Sequence, residues 1–169
     1  MHLKKIRIIL KYQKSLITIK TYLPEYKSAL LEIFKSNMPL YFAEEELPLF
    51  DEFLDRDAST RGPYSIVFKD DEIVGCGGIA LNEPTKYTNE PHVIMTWGMV
   101  DNTHHKTGLG KVLLLHRIEQ AKEIYPGIKI ALGTTQHTFE FFEKYGFKTV
   151  FYEKDHWGKD LDLYQMELL

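Results

Sequence analysis

The stretch that decides the fold is HVIMTWGMVDNTHHKTGLGKVLLLHRIEQAKEI, residues 92–124. An apolar run ending at Val100 predicts a strand, a short polar loop contains Gly108 and Gly110, and a helical pattern follows at once. Glycines let the backbone approach a ligand closely, and the first turn of a helix leaves N–H groups without partners. The junction therefore predicts a phosphate site. Many helices also begin after glycine for reasons of turn geometry alone, so this signal needs support from the rest of the chain.

The segments on both sides alternate between strand and helix patterns. Those before the junction are predicted as a strand (16–23), a helix (24–37), a second helical segment (38–57) and a hairpin (64–70 and 72–81). Those after it are predicted as a strand (128–134), a short helix ending at Gly146 and two closing strands (147–154 and 162–168). This order predicts an α/β fold with a mixed sheet of six to seven strands and about four helices. No linker or repeat divides residues 15–169, which we interpret as a single domain.

The composition excludes several classes of protein. The 169 residues include 44% hydrophobic and 27% charged side chains, an ordinary balance for one globular domain. The apolar runs are far shorter than the ~20 residues needed to cross a bilayer, which argues against a membrane protein. Cys76 is the single cysteine, so an internal disulfide and a multi-cysteine metal site are excluded. We expect no metal and a reducing, cytoplasmic location.

The charge is distributed unevenly along the chain. The first 20 residues contain six basic side chains and no acid, which leaves 15 basic and 24 acidic residues for the remainder. We predict that residues 1–14 are a basic extension outside the domain. The alternative is an arm that contacts RNA or lipid, for example one that docks the domain onto a nucleic-acid assembly. The acidic balance of the domain itself makes nucleic acid an unexpected partner.

Two segments carry a resemblance to a known family. VDNTHHKTGLGKVLLL, residues 100–115, resembles motif A of the GNAT N-acetyltransferase superfamily. The family pattern of Arg or Gln, two residues, Gly, any residue, then Gly or Ala falls on His105–Gly110, with His105 in place of Arg or Gln. TTQHTFEFFEKYGF, residues 134–147, resembles motif B of the same family. Together with the order of the other segments, the resemblance covers about residues 16–168.

The resemblance implies a fold and a cofactor. Members of the family separate two neighbouring parallel strands, here 93–100 and 128–134, and the pantetheine arm of acetyl-CoA enters the gap. Gly98 then lies where a bulge opens the sheet, or alternatively it makes room for Trp97. The residues implied to bind the cofactor are Met99, Val100, His105, Lys106, Thr107, Gly108, Leu109, Gly110, Lys111, Thr135 and Phe142.

The catalytic groups are harder to identify from sequence. Many family members carry a Glu or His base on the fourth strand, but those positions are Ile94 and Thr96 here. The remaining weak candidates are Thr96 itself, His92 acting through water, and one of Glu44, Glu45 and Glu46, with Glu45 the one named, although each of these acids also suits a solvated surface.

The general acid of the family is also missing from its usual place. Its tyrosine falls on Phe142, and we expect the hydroxyl of nearby Tyr145 to point elsewhere. A thiolate is a weakly basic leaving group, so we expect the protein either to be a slow enzyme or to protonate the thiolate through water.

The resemblance implies that the connection between the first two helices lines the acceptor pocket. Tyr41, Phe42 and Trp97 are predicted to form its apolar wall. The alternative is ordinary helix–sheet packing, which suits Phe42 better than Tyr41. The resemblance thus implies transfer of an acetyl group from acetyl-CoA to a primary amine of a small molecule or peptide. A catalytically silent acyl-CoA-binding module is the alternative. Whether two copies associate as a homodimer stays open.

Overall fold

The computed structural model describes residues 15–168, and the predicted basic extension lies outside them. The strands are β1 (Ile17–Thr21), β2 (Tyr64–Lys69), β3 (Glu72–Asn82), β4 (His92–Val100), β5 (Lys129–Thr134), β6 (Phe147–Gly158) and β7 (Leu161–Leu168). The helices are α1 (Lys27–Ser36), α2 (Leu47–Arg56), α3 (Leu109–Ile124) and α4 (Phe139–Glu143). The described chain therefore confirms the predicted mixed α/β fold with seven strands and four α-helices. None of its helices is long and apolar enough to span a bilayer.

The element boundaries differ from the predicted ones in three informative places. Pro24 begins a separate 3₁₀ turn, Pro24–Tyr26, and α1 starts only after it. Helix α3 begins at Leu109, immediately after Gly108, which adopts φ +87° at the N-cap. Strand β6 continues to Gly158, four residues beyond the predicted end, and so brings Trp157 into the sheet.

The sheet has the order β1-β2-β3-β4-β5-β7-β6. Strands β4 and β5 are parallel neighbours, whereas the other adjacent pairs are antiparallel. Only the segment His92–Ile94 pairs with β5, and the remainder of β4 separates from it. The predicted splay between these two strands is confirmed.

A bulge accompanies this separation. In the β3–β4 ladder Cys76 pairs with Met99 and Gly78 with Thr96, so that Gly77 faces two residues, Trp97 and Gly98. The predicted bulge is therefore present. A Cβ at Gly98 would lie 2.5–2.8 Å from the guanidinium of Arg117, so this glycine also leaves room for that side chain.

The two faces of the sheet bury different cores. Helices α1 and α2 cover one face with an aromatic cluster that includes Phe34, Phe50 and Phe53. Helix α3 covers the other face with a mainly aliphatic cluster that includes Leu114 and Ile118. Side chains two residues apart in a strand share a face, yet Val93 and Met95 lie in the cluster under α3 and Met99 lies in the cluster under α1 and α2, because the bulge between them reverses the alternation of β4.

The aromatic core gives a first testable prediction. Phe34 is fully buried, stacks on Phe50 at 5.3 Å between ring centroids and contacts Phe42 at 4.7 Å. We expect Phe34→Ala to lower the free energy of unfolding by about 3–5 kcal/mol, since it removes these contacts and leaves a cavity. Urea unfolding measures the change. Leu49→Ala on α2 is the control: Leu49 is 57% exposed, so a comparable loss there would show that the packing argument is wrong.

Candidate active site

A large cavity occupies the gap between β4 and β5. Its volume is about 940 Å³, and it extends from the start of α3, along the separated strands, to the connection between α1 and α2. Its wall combines backbone from both strands, two glycines of the β4–α3 loop and α3, and aromatic side chains from several elements. The separation of β4 and β5 therefore creates a channel that runs from the backbone at the start of α3 to side chains of the α1–α2 connection.

The β4–α3 end of the cavity is suited to an anion. Within residues 15–168, the N–H groups of Gly108, Leu109, Gly110 and Lys111 donate no hydrogen bond. The first intrahelical bond is Val112 N–H to the Gly108 carbonyl at 3.1 Å, as expected for the start of a helix. These donors and the positive end of the helix dipole attract a phosphate or pyrophosphate.

The end of β4 is fixed by two side chains. The carbonyl of Val100 accepts a hydrogen bond from Asn37 Nδ2 at 2.9 Å and another from His105 Nε2 at 3.0 Å. Tyr41 packs edge-on against His105, with ring centroids 5.1 Å apart. Both lone pairs of this carbonyl are therefore engaged, so Val100 offers no free acceptor to a ligand, and His105 acts as a clamp between loop and strand.

The side of the cavity formed by the connection between α1 and α2 has an aromatic wall. Tyr41, Phe42 and Trp97 all border it, as does Trp157. The indole N–H of Trp157 donates to the Thr134 carbonyl at 3.3 Å, which holds the ring at the end of β5. Phe42 and Trp97 also pack against the core under α1 and α2, so they serve the fold and the cavity together.

A single acid faces this aromatic wall among the residues bordering the cavity. Glu46 is 8% exposed, and its Oε2 accepts a hydrogen bond from the Ala43 N–H at 2.8 Å. Burial raises the pKa of its carboxyl to about 7, although the Ala43 hydrogen bond opposes that shift. Glu44 and Glu45 are exposed and lie outside the cavity wall.

The comparisons with known proteins agree with this geometry. The model of the acetyltransferase (GNAT) family matches residues 28–147. The chain belongs to the GNAT acetyltransferase family. No curated protein is significantly similar to it in sequence.

Solved GNAT structures share the fold at low sequence identity. The ribosomal-protein-alanine N-acetyltransferase of Brucella melitensis has a TM-score of 0.71 and 19% identity, covering 89% of this chain and 98% of its own. NAA60 of Arabidopsis thaliana, in complex with a bisubstrate analogue, has a TM-score of 0.72 and 15% identity, covering 89% of this chain and 96% of its own. The yncA protein of Salmonella typhimurium, with its cofactor acetyl-CoA, has a TM-score of 0.67 and 16% identity, covering 90% of this chain and 92% of its own. At these identities the likeness shows the fold alone.

The structure brings together most of the residues that the GNAT resemblance implies for the cofactor. Those bordering the cavity are Met99, Val100, His105, Lys106, Gly108, Gly110, Lys111, Thr135 and Phe142. Leu109 does not border it, because its side chain is buried in the core beneath α3. Thr107 does not border it either, since its hydroxyl bonds to the His104 carbonyl. Tyr145, expected to point elsewhere, lies on the cavity wall.

Two of the catalytic candidates from sequence, His92 and Glu45, do not border the cavity. His92 is buried outside the cavity, with Nδ1 donating to the Glu90 carbonyl at 3.1 Å and Nε2 bonded to Thr88 Oγ1 at 3.3 Å. Thr96 borders the cavity, whereas Glu45 does not. Of the three consecutive acids offered as candidates, Glu46 is the one that borders the cavity.

Among the wall residues that sequence reasoning missed, two stand out by their chemistry. Trp157 lies in the extension of β6 beyond its predicted end. Arg117 follows Gly110 and Leu113 at helical spacing on α3, and all three border the cavity. That spacing was the available signal, since a basic residue on the buried face of a helix is unusual.

The raised pKa of Glu46 predicts how stability depends on pH. The folded protein holds this proton with a pKa of about 7, above the ordinary value of 4.5, so the contribution to stability is complete below about pH 4.5 and lost as pH rises through 7. Glu46→Gln carries no charge and keeps an oxygen for the Ala43 N–H. We expect this variant to be more stable than the natural protein at pH 8, with a smaller difference at pH 5.

Urea unfolding at the two pH values measures this difference. Glu45→Gln, an exposed neighbour in the same turn, is the matched control and should not reproduce it. A pH-independent effect of Glu46→Gln would contradict the burial of a charged carboxylate.

Proposed function

We propose that the protein transfers the acetyl group of acetyl-CoA to a primary amine of a small molecule or peptide. One observation carries the proposal: a continuous cavity joins the anion site at the start of α3 to an aromatic pocket containing a buried acid. The first end suits a pyrophosphate, and the second suits an amine. An acyl group carried between them would lie in the gap between β4 and β5.

The chain supplies the cofactor contacts mainly from backbone. The free N–H groups from Gly108 to Lys111 would bind the pyrophosphate, and the ammonium groups of Lys106 and Lys111 border the same end of the cavity. Beyond Ile94, β4 has no β5 partner, so its backbone there is available to an extended pantetheine arm. These contacts explain why replacing the family's Arg or Gln by His105 is compatible with binding.

The acceptor end supplies a place for a cation and a proton acceptor. An ammonium is attracted both by aromatic faces and by the Glu46 carboxylate. An amine must lose a proton to become a nucleophile, and a carboxyl with a pKa near 7 accepts that proton more readily than an ordinary glutamate does. Glu46 is therefore the proposed general base. Phe142 stands where the family has its general-acid tyrosine. Tyr145, three residues further on, borders the cavity and carries the nearest hydroxyl in sequence.

An amine panel distinguishes turnover from silent binding. Release of free thiol from acetyl-CoA is followed with polyamines, amino acids and short peptides as acceptors. Acetylated product with any amine supports the enzyme. Tight CoA binding without turnover across the panel would favour an acyl-CoA-binding module.

The cofactor site predicts the effect of a side chain at Gly110. A Cβ there meets nothing closer than Phe141 at 3.6 Å, so Gly110→Val is compatible with folding. The added methyl groups would block approach of a pyrophosphate to the helix N-terminus. Loss of two hydrogen bonds to a charged group, about 3–6 kcal/mol, weakens CoA binding by more than a hundredfold.

Calorimetry with CoA measures this loss. Leu115→Val is the matched control, because it places the same residue on the exposed face of α3, where Leu115 is 44% exposed. Unchanged affinity in folded Gly110→Val would remove the basis of the proposed cofactor site.

The role of Glu46 predicts a change in the pH profile. We expect kcat/KM of the natural protein to rise with pH through an apparent pKa near 7 as the carboxylate forms. Glu46→Gln should lower kcat/KM by about 10²–10⁴-fold and abolish that rise, because the amide cannot accept the proton. Glu45→Gln should keep both the rate and the profile. A Glu46→Gln enzyme with the natural pH profile would show that the base lies elsewhere.

A further inference from the structure

Arg117 is a buried charge without a partner. Arg117 is 5% exposed, its Nε is buried without a hydrogen-bond partner, and within residues 15–168 its guanidinium is in no ion pair. Burial lowers its pKa to about 10, so it remains a cation at neutral pH. Burying an uncompensated charge is costly, and proteins rarely keep one without use for it.

Two glycines hold this guanidinium against the bulge. A Cβ on Gly98 would lie 2.5 Å from one terminal nitrogen and 2.6 Å from the other, and a Cβ on Gly77 would lie 3.2 Å from Nε. Any side chain at Gly98 would displace Arg117. The bulge and the arginine are therefore fitted to each other.

The position of Arg117 relates it to both ends of the cavity. It lies seven residues after Gly110 on the same face of α3, about 10 Å along the helix from the anion site. Gly98, beneath its guanidinium, directly follows Trp97, which belongs to the acceptor wall. Trp97 and Gly98 both border the cavity, so an acyl group beside this bulge would lie next to the guanidinium.

We propose that the guanidinium of Arg117 donates hydrogen bonds to the carbonyl oxygen of the thioester and stabilises the negative charge that this oxygen gains during the reaction. The inference rests on the proposed acetyl transfer. A neutral acetyl group brings no charge of its own, so the partner of this cation forms only as the reaction proceeds. A fixed donor in a water-poor site is most effective for such a developing charge.

The proposed step balances as follows. The amine lone pair forms the new C–N bond, and the carbonyl π electrons move to the oxygen facing Arg117. The carboxylate of Glu46 has by then taken one proton from the ammonium form of the amine, and the second proton lost by the nitrogen passes to the departing sulfur. The oxyanion then re-forms the carbonyl as the C–S bond breaks, and the sulfur leaves with the bonding electrons.

Kinetics of Arg117→Met test the proposal. We expect kcat to fall by about 10²–10³-fold while the affinity for acetyl-CoA changes by less than about threefold, because the interaction strengthens only in the transition state. Lys122→Met removes an exposed positive charge from the same helix and is the matched control. Parallel losses of affinity and rate would overturn the proposal.

A spectroscopic readout separates this role from a structural one. Acetonyl-CoA, a ketone analogue labelled with ¹³C at the carbonyl, is bound and its C=O stretch is measured by infrared difference spectroscopy. The stretch should lie at lower frequency in the natural protein than in Arg117→Met. Gly98→Ala should also abolish the shift, because its methyl group displaces the guanidinium. Equal frequencies in all three proteins would overturn the proposal.

Comparing acyl-CoA substrates tests whether Arg117 instead binds a negatively charged acyl chain. Succinyl-CoA turned over faster than acetyl-CoA, with this preference reversed in Arg117→Met, would show that Arg117 binds a carboxylate on the acyl chain, and would overturn its assignment to the thioester oxygen. Failure of the whole amine panel would contradict the proposed function. The infrared shift would still be measurable, so the two failures are distinguishable.

Discussion

The interrupted pairing of β4 with β5 is the constraint on which the rest of the site depends. Three residue pairs join the strands, after which the β4 backbone faces a cavity instead of a neighbour. Buried backbone donors and acceptors require partners, so this edge favours a ligand that can pair as a strand does. The bulge at Gly98 turns β4 away from β5, and the carbonyl of Val100 is held by Asn37 and His105. The gap is thus a fixed part of the fold.

Two buried charges flank this gap from different sides. Glu46 reaches it from the connection between α1 and α2, and Arg117 reaches it from α3. Burial shifts both pKa values toward the neutral form, upward for the acid and downward for the base. Neither side chain is paired with the other among the described ion pairs, so each is available to a ligand. Burying each of these charges without an ionic partner lowers the stability of the folded protein.

The sequence predicted the fold and the cofactor end of the site more completely than the acceptor end. The strand–loop–helix of residues 92–124 combines glycine spacing with clear periodicity, and local chemistry decides both features. Glu46 could not be distinguished from Glu44 and Glu45, because three consecutive acids in a short 3₁₀ turn differ only in how the turn packs. Trp157 was missed because β6 continues past its apolar pattern, through pairing with β7. Arg117 was missed because its environment comes from glycines on other strands.

The glycines of β3 and β4 therefore have a reason beyond backbone freedom. Gly77 and Gly98 do not adopt positive φ, so an L side chain there is not excluded by backbone conformation. At Gly98 the guanidinium excludes it, since an added Cβ would lie 2.5–2.8 Å from that group, whereas at Gly77 an added Cβ would meet the Gly98 Cα at 3.1 Å and the guanidinium at 3.2 Å. An alanine at position 98 would therefore fill space that a neutral, shorter residue at position 117 would leave free. That the chain keeps the small residues and the large buried cation together indicates that the cation itself is what this part of the sheet accommodates. The opening of the sheet and the placement of positive charge at the opening are then one structural feature, formed by three residues that are distant in sequence.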